Sequence, residues 1–210
     1  MYIDMHCHSV SSDDSRATVE GYLKWIQVLR KRGHTVDAIV LTEHRKFDQD
    51  ADYSTLGSQY GVLVMKGSEL DTACGHFLVY GVNEQLRKSM DFANVHMDSL
   101  ELMQAATASG AVAIPAHPGR SGIGLCEYIQ QGRSFEGLRI VETHNGGSRR
   151  GENERSGSRW RDSGRVWYGL REARASDIPA NVSCRLGHDT RQPAPPRLFP
   201  AVRPPSVDAT

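Results

Sequence analysis

The sequence predicts an α/β fold in which β/α units surround a parallel sheet, and two observations carry this prediction. Short β-branched or apolar runs alternate with stretches of helical periodicity through the first 150 residues. Gly33 and Gly110 follow the helical stretches, and a new apolar run begins after each. The predicted strands span residues 2–7, 37–42, 61–67, 76–82, 111–115 and 138–143.

Two helices are predicted between these strands. The first begins after the candidate N-cap Thr18, and its apolar face repeats at helical spacing through Val19, Tyr22, Leu23, Ile26 and Leu29. The second spans residues 97–109. Residues 146–158 show neither helical nor strand period and predict a loop, whereas residues 166–175 predict a short helix.

Composition excludes several classes of protein. The chain has 210 residues, enough for one sizeable domain and a tail, and its 25 basic and 25 acidic side chains do not indicate a nucleic-acid partner. No apolar run approaches the roughly 20 residues of a membrane helix. Because the N-terminus also lacks a signal-peptide pattern, we expect a cytoplasmic protein. Four scattered cysteines without a C-x-x-C pair predict reduced thiols.

Residues suited to metal binding stand at the boundaries of the predicted strands. His6 and His8 close the first strand and project to the same side, because side chains alternate. Later strands contribute, in chain order, His44, Glu69, His76, His117 and His144. One histidine at a strand end is most often structural. Six of them at successive boundaries indicate a shared metal site, with Glu69 able to bridge two ions.

These segments together resemble the polymerase and histidinol phosphatase (PHP) family of metal-dependent phosphoesterases. The resemblance covers residues 1–155 in the family's motif order and rests on IDMHCHS at 3–9, TEH at 42–44, GSEL at 67–70, GHFLVYGV at 75–82 and AHP at 116–118. It implies a distorted, TIM-like β/α barrel that holds divalent metals at the carboxyl ends of its strands. It also implies a small phosphorylated substrate.

The resemblance assigns two metal positions around one carboxylate. His6 and His8 would hold the first metal, Glu69 would bridge the two, and His76 and His117 would hold the second. Two or three divalent ions are therefore the expected cofactors. Histidine and carboxylate ligands suit zinc, manganese and iron alike.

A third metal would, by the same resemblance, take His44 and an acidic residue from the loop at residues 12–15. Within this loop Asp14 is preferred to Asp13. Glu43 stands where the family more often has Asp, and its longer side chain suits a residue that is not itself a ligand.

The expected chemistry follows from the ions. A bridged metal pair lowers the pKa of a bound water and clamps the phosphoryl oxygens, so no protein nucleophile is required. Glu69 and His117 are therefore predicted to be catalytic through the metals. Arg120 is a third candidate, because its planar guanidinium suits a phosphate group. A solvated loop arginine is an equal alternative for Arg120.

The chain departs from the family after residue 155. All five lysines lie in the first 88 residues, whereas residues 156–210 hold nine arginines and seven of the nine prolines. The family's late Gly-Ser-Asp-x-His element is absent. We therefore predict a PHP-like metal-binding domain at 1–155, an incomplete barrel, and an irregular or disordered tail at 156–210. A shift of reading frame near residue 155 is one hypothesis, and a divergent natural tail is the alternative.

Three functions follow from these observations. The first is metal-dependent hydrolysis of a phosphate ester, impaired by the missing late ligands. An amidohydrolase-type metal hydrolase also has H-x-H at its first strand, but it needs a metal-bridging lysine, for which Lys66 is the only candidate. The third is a non-catalytic metal-binding module or a non-functional fragment, which the absence of the late Asp-His pair supports.

Overall fold

The computed structural model describes residues 2–161 and 169–171 and has the mixed α/β architecture that the sequence predicts. One sheet has the strand order β1-β2-β3-β4-β5, and a second pairs β6 with β7. The strands are β1 (Ile3–Cys7), β2 (Ala38–His44), β3 (Leu63–Thr72), β4 (Gly75–Tyr80), β5 (Val112–Pro115), β6 (Val141–His144) and β7 (Gly169–Arg171). The helices are α1 (Val19–Lys31), α2 (Ser54–Tyr60), α3 (Glu84–Ser89), α4 (Ser99–Ala108), α5 (Leu125–Gln130) and α6 (Arg150–Arg161).

Strands β1, β2 and β3 run parallel, whereas β4 runs antiparallel to both of its neighbours. The expectation of a parallel sheet is therefore wrong at β4. The reason is the short connection: only Ala73 and Cys74 separate β3 from β4, far fewer residues than a parallel crossover needs. Gly75 opens β4 at a φ of +99°. Because β4 is reversed, its first residues lie beside the last residues of β3.

The two helices predicted between the strands, α1 and α4, lie close to their predicted positions. Thr18 caps α1 by accepting a hydrogen bond of 3.0 Å from the N–H of Gly21. Gly33 follows the helix with a φ of +87°. Helix α4 begins two residues later than predicted, because Asp98 caps it by accepting from the N–H groups of Leu100 and Glu101. All residues of the predicted apolar face of α1 are buried.

The five-stranded sheet is curled into a half-barrel. The Tyr80 hydroxyl of β4 donates a hydrogen bond of 2.8 Å to the Met5 carbonyl of β1, although β2 and β3 lie between these strands. In a flat sheet three strand spacings would separate them by about 14 Å. One apolar core packs α1 against β1 and β2, and another packs α3 and α4 against β4. The curl brings the strand ends toward one another, as expected for the incomplete barrel predicted from the sequence.

Residues 146–158 are not the loop that the sequence predicts, because α6 occupies most of them. The helix carries no apolar stripe that periodicity could detect, and buried polar side chains hold it instead. Asn153 accepts a hydrogen bond of 2.9 Å from the N–H of Asn145 and donates one of 3.0 Å to the Asn145 carbonyl. Ser156 accepts one of 2.8 Å from the N–H of Gly119. Helix α6 thus continues past residue 155.

The helix predicted for residues 166–175 is wrong where the structure describes that segment, because β7 lies there and pairs with β6 in parallel. The rest of the segment, and most of the arginine- and proline-rich tail, lie outside the described residues. None of the helices in the described part of the chain is long and apolar enough to span a bilayer.

Candidate metal centre

Five of the predicted imidazoles surround one carboxylate, that of Glu69. They come from the boundaries of four strands and are His6, His8, His44, His76 and His117. Oε2 of Glu69 lies 2.8 Å from Nε2 of His6 and 3.0 Å from Nε2 of His8. Oε1 lies 2.9 Å from Nε2 of His117 and 3.1 Å from Nδ1 of His76. Each oxygen of Glu69 therefore faces its own pair of imidazoles, as a bridging ligand must.

Glu69 is ionised although it is only 1% exposed. Burial by itself raises the pKa of this carboxyl, but the charge of His6 and hydrogen bonds from His117, His6 and His76 hold it well below its usual value. A buried carboxylate that keeps its charge has both oxygens available as metal ligands.

His6 contacts a second buried carboxylate, that of Glu142 in β6. Nδ1 of His6 lies 3.0 Å from Oε1 of Glu142, and Nε2 of the same ring faces Glu69. Burial alone lowers the pKa of His6, but the charges of Glu69 and Glu142 hold it well above its usual value. Glu142 thus accepts the proton of Nδ1, and Nε2, which faces Glu69, is the nitrogen that would bind a metal once it loses its proton.

Glu142 also fixes the backbone at His117. The N–H of His117 donates to Oε2 of Glu142, and His117 adopts a φ of +30°, which side-chain-bearing residues rarely show. Nε2 of His117 faces Glu69. The pKa of His117 is lowered, because burial outweighs the attraction of Glu69. His117 is therefore held as a neutral imidazole, the form that binds metals.

The third predicted position lies beside His44. Nε2 of His44 is 3.5 Å from Oδ2 of Asp14 and 3.7 Å from Oε2 of Glu69. Nδ1 of His8 lies 3.8 Å from Oδ1 of Asp14. Asp13 points elsewhere and pairs with Arg45. Of the two loop carboxylates, Asp14 is thus the one that faces the histidines.

Glu43 is not part of the histidine cluster, and it organises the loop that carries Asp14. It accepts hydrogen bonds from the N–H and hydroxyl of Ser9 and from the hydroxyl of Ser12. The Ser12 oxygen in turn accepts from the N–H of His44 at 3.0 Å and lies 3.3 Å from Nδ1 of His8. Because the Ser12 proton is directed to Glu43, the oxygen accepts the Nδ1 proton of His8 and leaves Nε2 toward Glu69.

Arg120 is tied to the rim of the cluster. Its Nη2 donates a hydrogen bond of 2.7 Å to Oδ1 of Asn145, and its Nε donates one of 3.2 Å to the hydroxyl of Ser148. The amide of Asn145 donates to Glu142 and lies 3.3 Å from Nδ1 of His6. The half-buried guanidinium is therefore held near the histidines and is not a free loop arginine.

Sequence reasoning missed Asp71, Glu142 and Asn145. Asp71 follows Glu69 by two residues on one strand, so the alternation that relates His6 to His8 could have found it. Its Oδ1 lies 3.5 Å from Nε2 of His76. His144 belongs to none of the candidate ligand groups among the described residues.

The cluster fits divalent cations in donor type and spacing. The described residues contain four groups of three donors whose ligand atoms lie within 4.8 Å of one another. Zinc binds imidazole nitrogen at about 2.0–2.1 Å, so ligands of a tetrahedral shell lie about 3.4 Å apart, close to the separations within the cluster. Three buried atoms in the cluster also make no hydrogen bond within the described residues: Nδ1 of His44, Oδ1 of Asp71 and Nδ1 of His117.

Comparisons with known proteins relate the chain to solved structures alone. No family model matches it, and no curated protein matches it. An amidohydrolase from Chromobacterium violaceum, solved with bound sulfate and no metal, has a TM-score of 0.56 and 14% identity over 80% of this chain and 86% of its own.

Two further structures are similar. A protein from Bifidobacterium adolescentis, named as a candidate metal-dependent phosphoesterase, has a TM-score of 0.56 and 14% identity over 90% of this chain and 93% of its own. PsfC from Pseudomonas syringae has a TM-score of 0.54 and 17% identity over 82% of this chain and 77% of its own. At these identities the similarity establishes the fold alone.

Proposed function

We propose that this chain is a metal-dependent phosphoesterase of the PHP type, which hydrolyses a small phosphate ester. The observation that carries the proposal is the Glu69 carboxylate, buried between two pairs of imidazoles with one oxygen toward each pair. Two divalent ions bound there would supply a hydroxide near neutral pH and neutralise the phosphoryl oxygens.

The position of each residue determines which ion it would hold. Glu69 would hold the two ions at one spacing, with His6 and His8 on one side and His76 and His117 on the other. A carboxylate bridge fixes the separation that an in-line displacement requires. Glu142 keeps His6 and His117 in place from the side away from Glu69. The fixed geometry is what the protein itself contributes.

Two further parts of the site complete the proposal. His44 and Asp14 would hold a third ion at the open side of the cluster, where Asp14 is half exposed. Arg120 would bind a substrate phosphate oxygen, because Asn145 and Ser148 hold its guanidinium at the rim.

One observation favours a second candidate. The similarity to an amidohydrolase fold is as strong as the similarity to the phosphoesterase fold. The lysine that such a hydrolase needs as a bridge does not reach the cluster here, however. Nζ of Lys66 donates to the carbonyls of Asp48, Gln49 and Ala51, so the loop before α2 occupies it. This contact makes amide hydrolysis the second choice.

The first experiment is the metal content of the purified full-length protein, measured by elemental analysis. At least two equivalents of zinc, manganese or iron per chain would support the proposal. A folded protein that keeps no metal after dialysis against each of these ions would overturn it for this chain and favour a non-functional fragment.

The second experiment separates catalysis from binding. Manganese- and zinc-dependent release of phosphate from p-nitrophenyl phosphate is compared between the wild type, Glu69→Gln and the control Glu101→Gln, an exposed residue on α4. We expect Glu69→Gln to abolish turnover and Glu101→Gln to retain it. Metal bound by the wild type without phosphate release, but with hydrolysis of amide substrates, would establish the second candidate. Metal binding with neither activity would indicate a non-catalytic module.

A further inference from the structure

Asp71 is a half-buried carboxylate beside the metal centre to which the proposed reaction assigns no role. It lies on β3 two residues after Glu69, and in the β3–β4 hairpin it stands directly opposite His76. Its side chain is 17% exposed. The antiparallel register thus fixes Asp71 at the edge of the cluster.

The two oxygens of Asp71 have different surroundings. Oδ2 accepts a hydrogen bond of 3.0 Å from Nη1 of Arg45, whose other terminal nitrogen pairs with Asp13. Oδ1 is buried and has no hydrogen bond within the described residues. It lies 3.5 Å from Nε2 of His76 and 3.9 Å from Nδ1 of His44. Arg45 therefore anchors the carboxylate so that its free oxygen faces two imidazoles.

Each neutral imidazole has one nitrogen with a lone pair and one that carries a proton. His44 directs Nε2 toward Glu69 and Asp14, and His76 directs Nδ1 toward Glu69. If these nitrogens are the ligands, the protons lie on Nδ1 of His44 and Nε2 of His76. These are the two nitrogens that face Oδ1 of Asp71.

We propose that Asp71, anchored by Arg45, is a positioning residue that sets the tautomers of His44 and His76. This inference rests on the proposed function, since it assumes that the other ring nitrogens bind metal. A carboxylate behind a ligating imidazole fixes the orientation of the ring and makes it a stronger ligand. Here one carboxylate would serve two rings from neighbouring strands.

A further metal ion held by Asp71, His44 and His76 is the competing interpretation, since their ligand atoms lie within 4.8 Å. It would require each imidazole either to turn its lone pair away from Glu69 or to bind two ions as an imidazolate. Because a neutral ring has a single lone pair, the geometry favours the positioning role.

Substitution of Asp71 by asparagine tests the inference directly. The oxygen of the new amide would accept from Arg45, so its NH₂ group would face the two ring nitrogens and donate to them. Long-range ¹H–¹⁵N spectra of ¹⁵N-histidine-labelled protein report the protonated nitrogen of each ring. The spectra are recorded at alkaline pH, without metal and with zinc, and His44→Gln and His76→Gln assign the signals.

In the zinc-bound wild type we expect the proton on Nδ1 of His44 and on Nε2 of His76, whereas without metal Glu69 and Asp71 compete for the proton of His76. Asp71→Asn should change both tautomers in the absence of metal and weaken zinc binding by about 10- to 100-fold. The control Asp91→Asn, an exposed turn residue, should change neither. Arg45→Gln should also weaken zinc binding. If Asp71→Asn does not fold, Arg45→Gln is measured in its place.

Unchanged tautomers and unchanged zinc affinity in both variants would overturn the inference. Opposite wild-type tautomers, together with the loss of one zinc equivalent in Asp71→Asn, would establish Asp71 as a metal ligand instead. Failure of the wild type to bind zinc would reject the proposed function, while the spectra without metal would still decide whether Asp71 sets the tautomers.

Discussion

Glu142 and His6 form a buried pair across the half-barrel: Oε1 of Glu142 lies 3.0 Å from Nδ1 of His6, although 136 positions separate them in the chain. Burial alone raises the pKa of Glu142, but the charge of His6 lowers it below its usual value. The pKa of His6 is raised, since the two carboxylates that flank it outweigh its burial. In the absence of metal each group thus stabilises the charged form of the other.

This pair predicts a pH-dependent effect of Glu142→Gln on the EDTA-treated protein. A raised folded-state pKa of His6 contributes stability that is fully present below about pH 6.5 and is lost as pH rises through that pKa. The lowered pKa of Glu142 contributes stability above about pH 4.5 that is lost as pH falls.

We therefore expect Glu142→Gln to be most destabilising between these pH values, by about 3–5 kcal/mol. Urea unfolding at a series of pH values measures the difference from the wild type, which should decrease toward alkaline pH. A difference that stays constant from pH 5 to pH 9 would contradict the ion pair.

The contact between α6 and the segment after His117 predicts opposite effects of two alanine substitutions. A Cβ at Gly119 would lie 2.1 Å from the carbonyl oxygen of Glu152 and 2.9 Å from the nitrogen of Ser156. Gly119→Ala must push α6 away and should cost about 1–3 kcal/mol. Gly151→Ala has open space on the same helix, so we expect it to be neutral or to stabilise by up to about 1 kcal/mol. Thermal unfolding of both variants measures the contrast, and equal effects would show that α6 does not pack on Gly119.

Glu43→Ala should disturb the loop that carries Asp14 and leave in place the two proposed metal positions that Glu69 bridges. Ser9 and Ser12 would lose the carboxylate to which they donate, and Ser12 would no longer be oriented toward His8. Loss of these buried bonds to a charged group should cost about 2–4 kcal/mol. Calorimetric zinc titration should then show the weakest zinc equivalent reduced or lost. Loss of every equivalent at once would mean that Glu43 supports the whole cluster.

The part of the site that could be predicted from sequence is the part set by local pattern. Alternation along β1 places His6 and His8 on one side, and strand ends are recognisable from apolar runs followed by polar residues. The same rule finds His117 after β5 and Glu69 after the predicted third strand, although the structure extends β3 to Thr72, and His76 is found at the start of β4. These positions need no knowledge of how the sheet curls.

The remaining features depend on tertiary contacts that produce no hydrophobic periodicity in the sequence. Glu142 reaches His6 only because the sheet is curled. Helix α6 is held by Asn153 and Ser156, polar residues that a hydrophobic pattern cannot mark. The predicted third and fourth strands were separated by eight residues, already too few for a parallel crossover, and the structure extends β3 so that only Ala73 and Cys74 connect it to the reversed β4. A parallel interpretation overlooked that connection because β/α units dominate the rest of the pattern.

Arg120 should affect substrate binding more than the metal centre. If its guanidinium contacts a phosphate oxygen, Arg120→Met should lower kcat/KM by about 10- to 100-fold, since hydrogen bonds to charged groups contribute about 1.5–3 kcal/mol. Arg120→Lys should recover part of the loss, because a lysine keeps the charge but not the planar fork. Steady-state kinetics with a phosphate monoester and elemental analysis of the same preparations are the measurements. Unchanged kcat/KM with full metal content would return Arg120 to a purely structural role, through Asn145 and Ser148.

Binding of metal should stabilise the folded chain by mass action, and Glu69 should be required for most of that gain. A ligand that binds only the folded state at about 100 times its Kd adds roughly 2.7 kcal/mol. We therefore expect zinc to raise the Tm of the EDTA-treated wild type and of Glu101→Gln by several degrees. In Glu69→Gln the shift should be largely absent, because a neutral amide offers a single acceptor oxygen where Glu69 presents two to the imidazole pairs. An equal shift in Glu69→Gln would mean that zinc binds elsewhere on the chain, and the bridging role would then have to be abandoned.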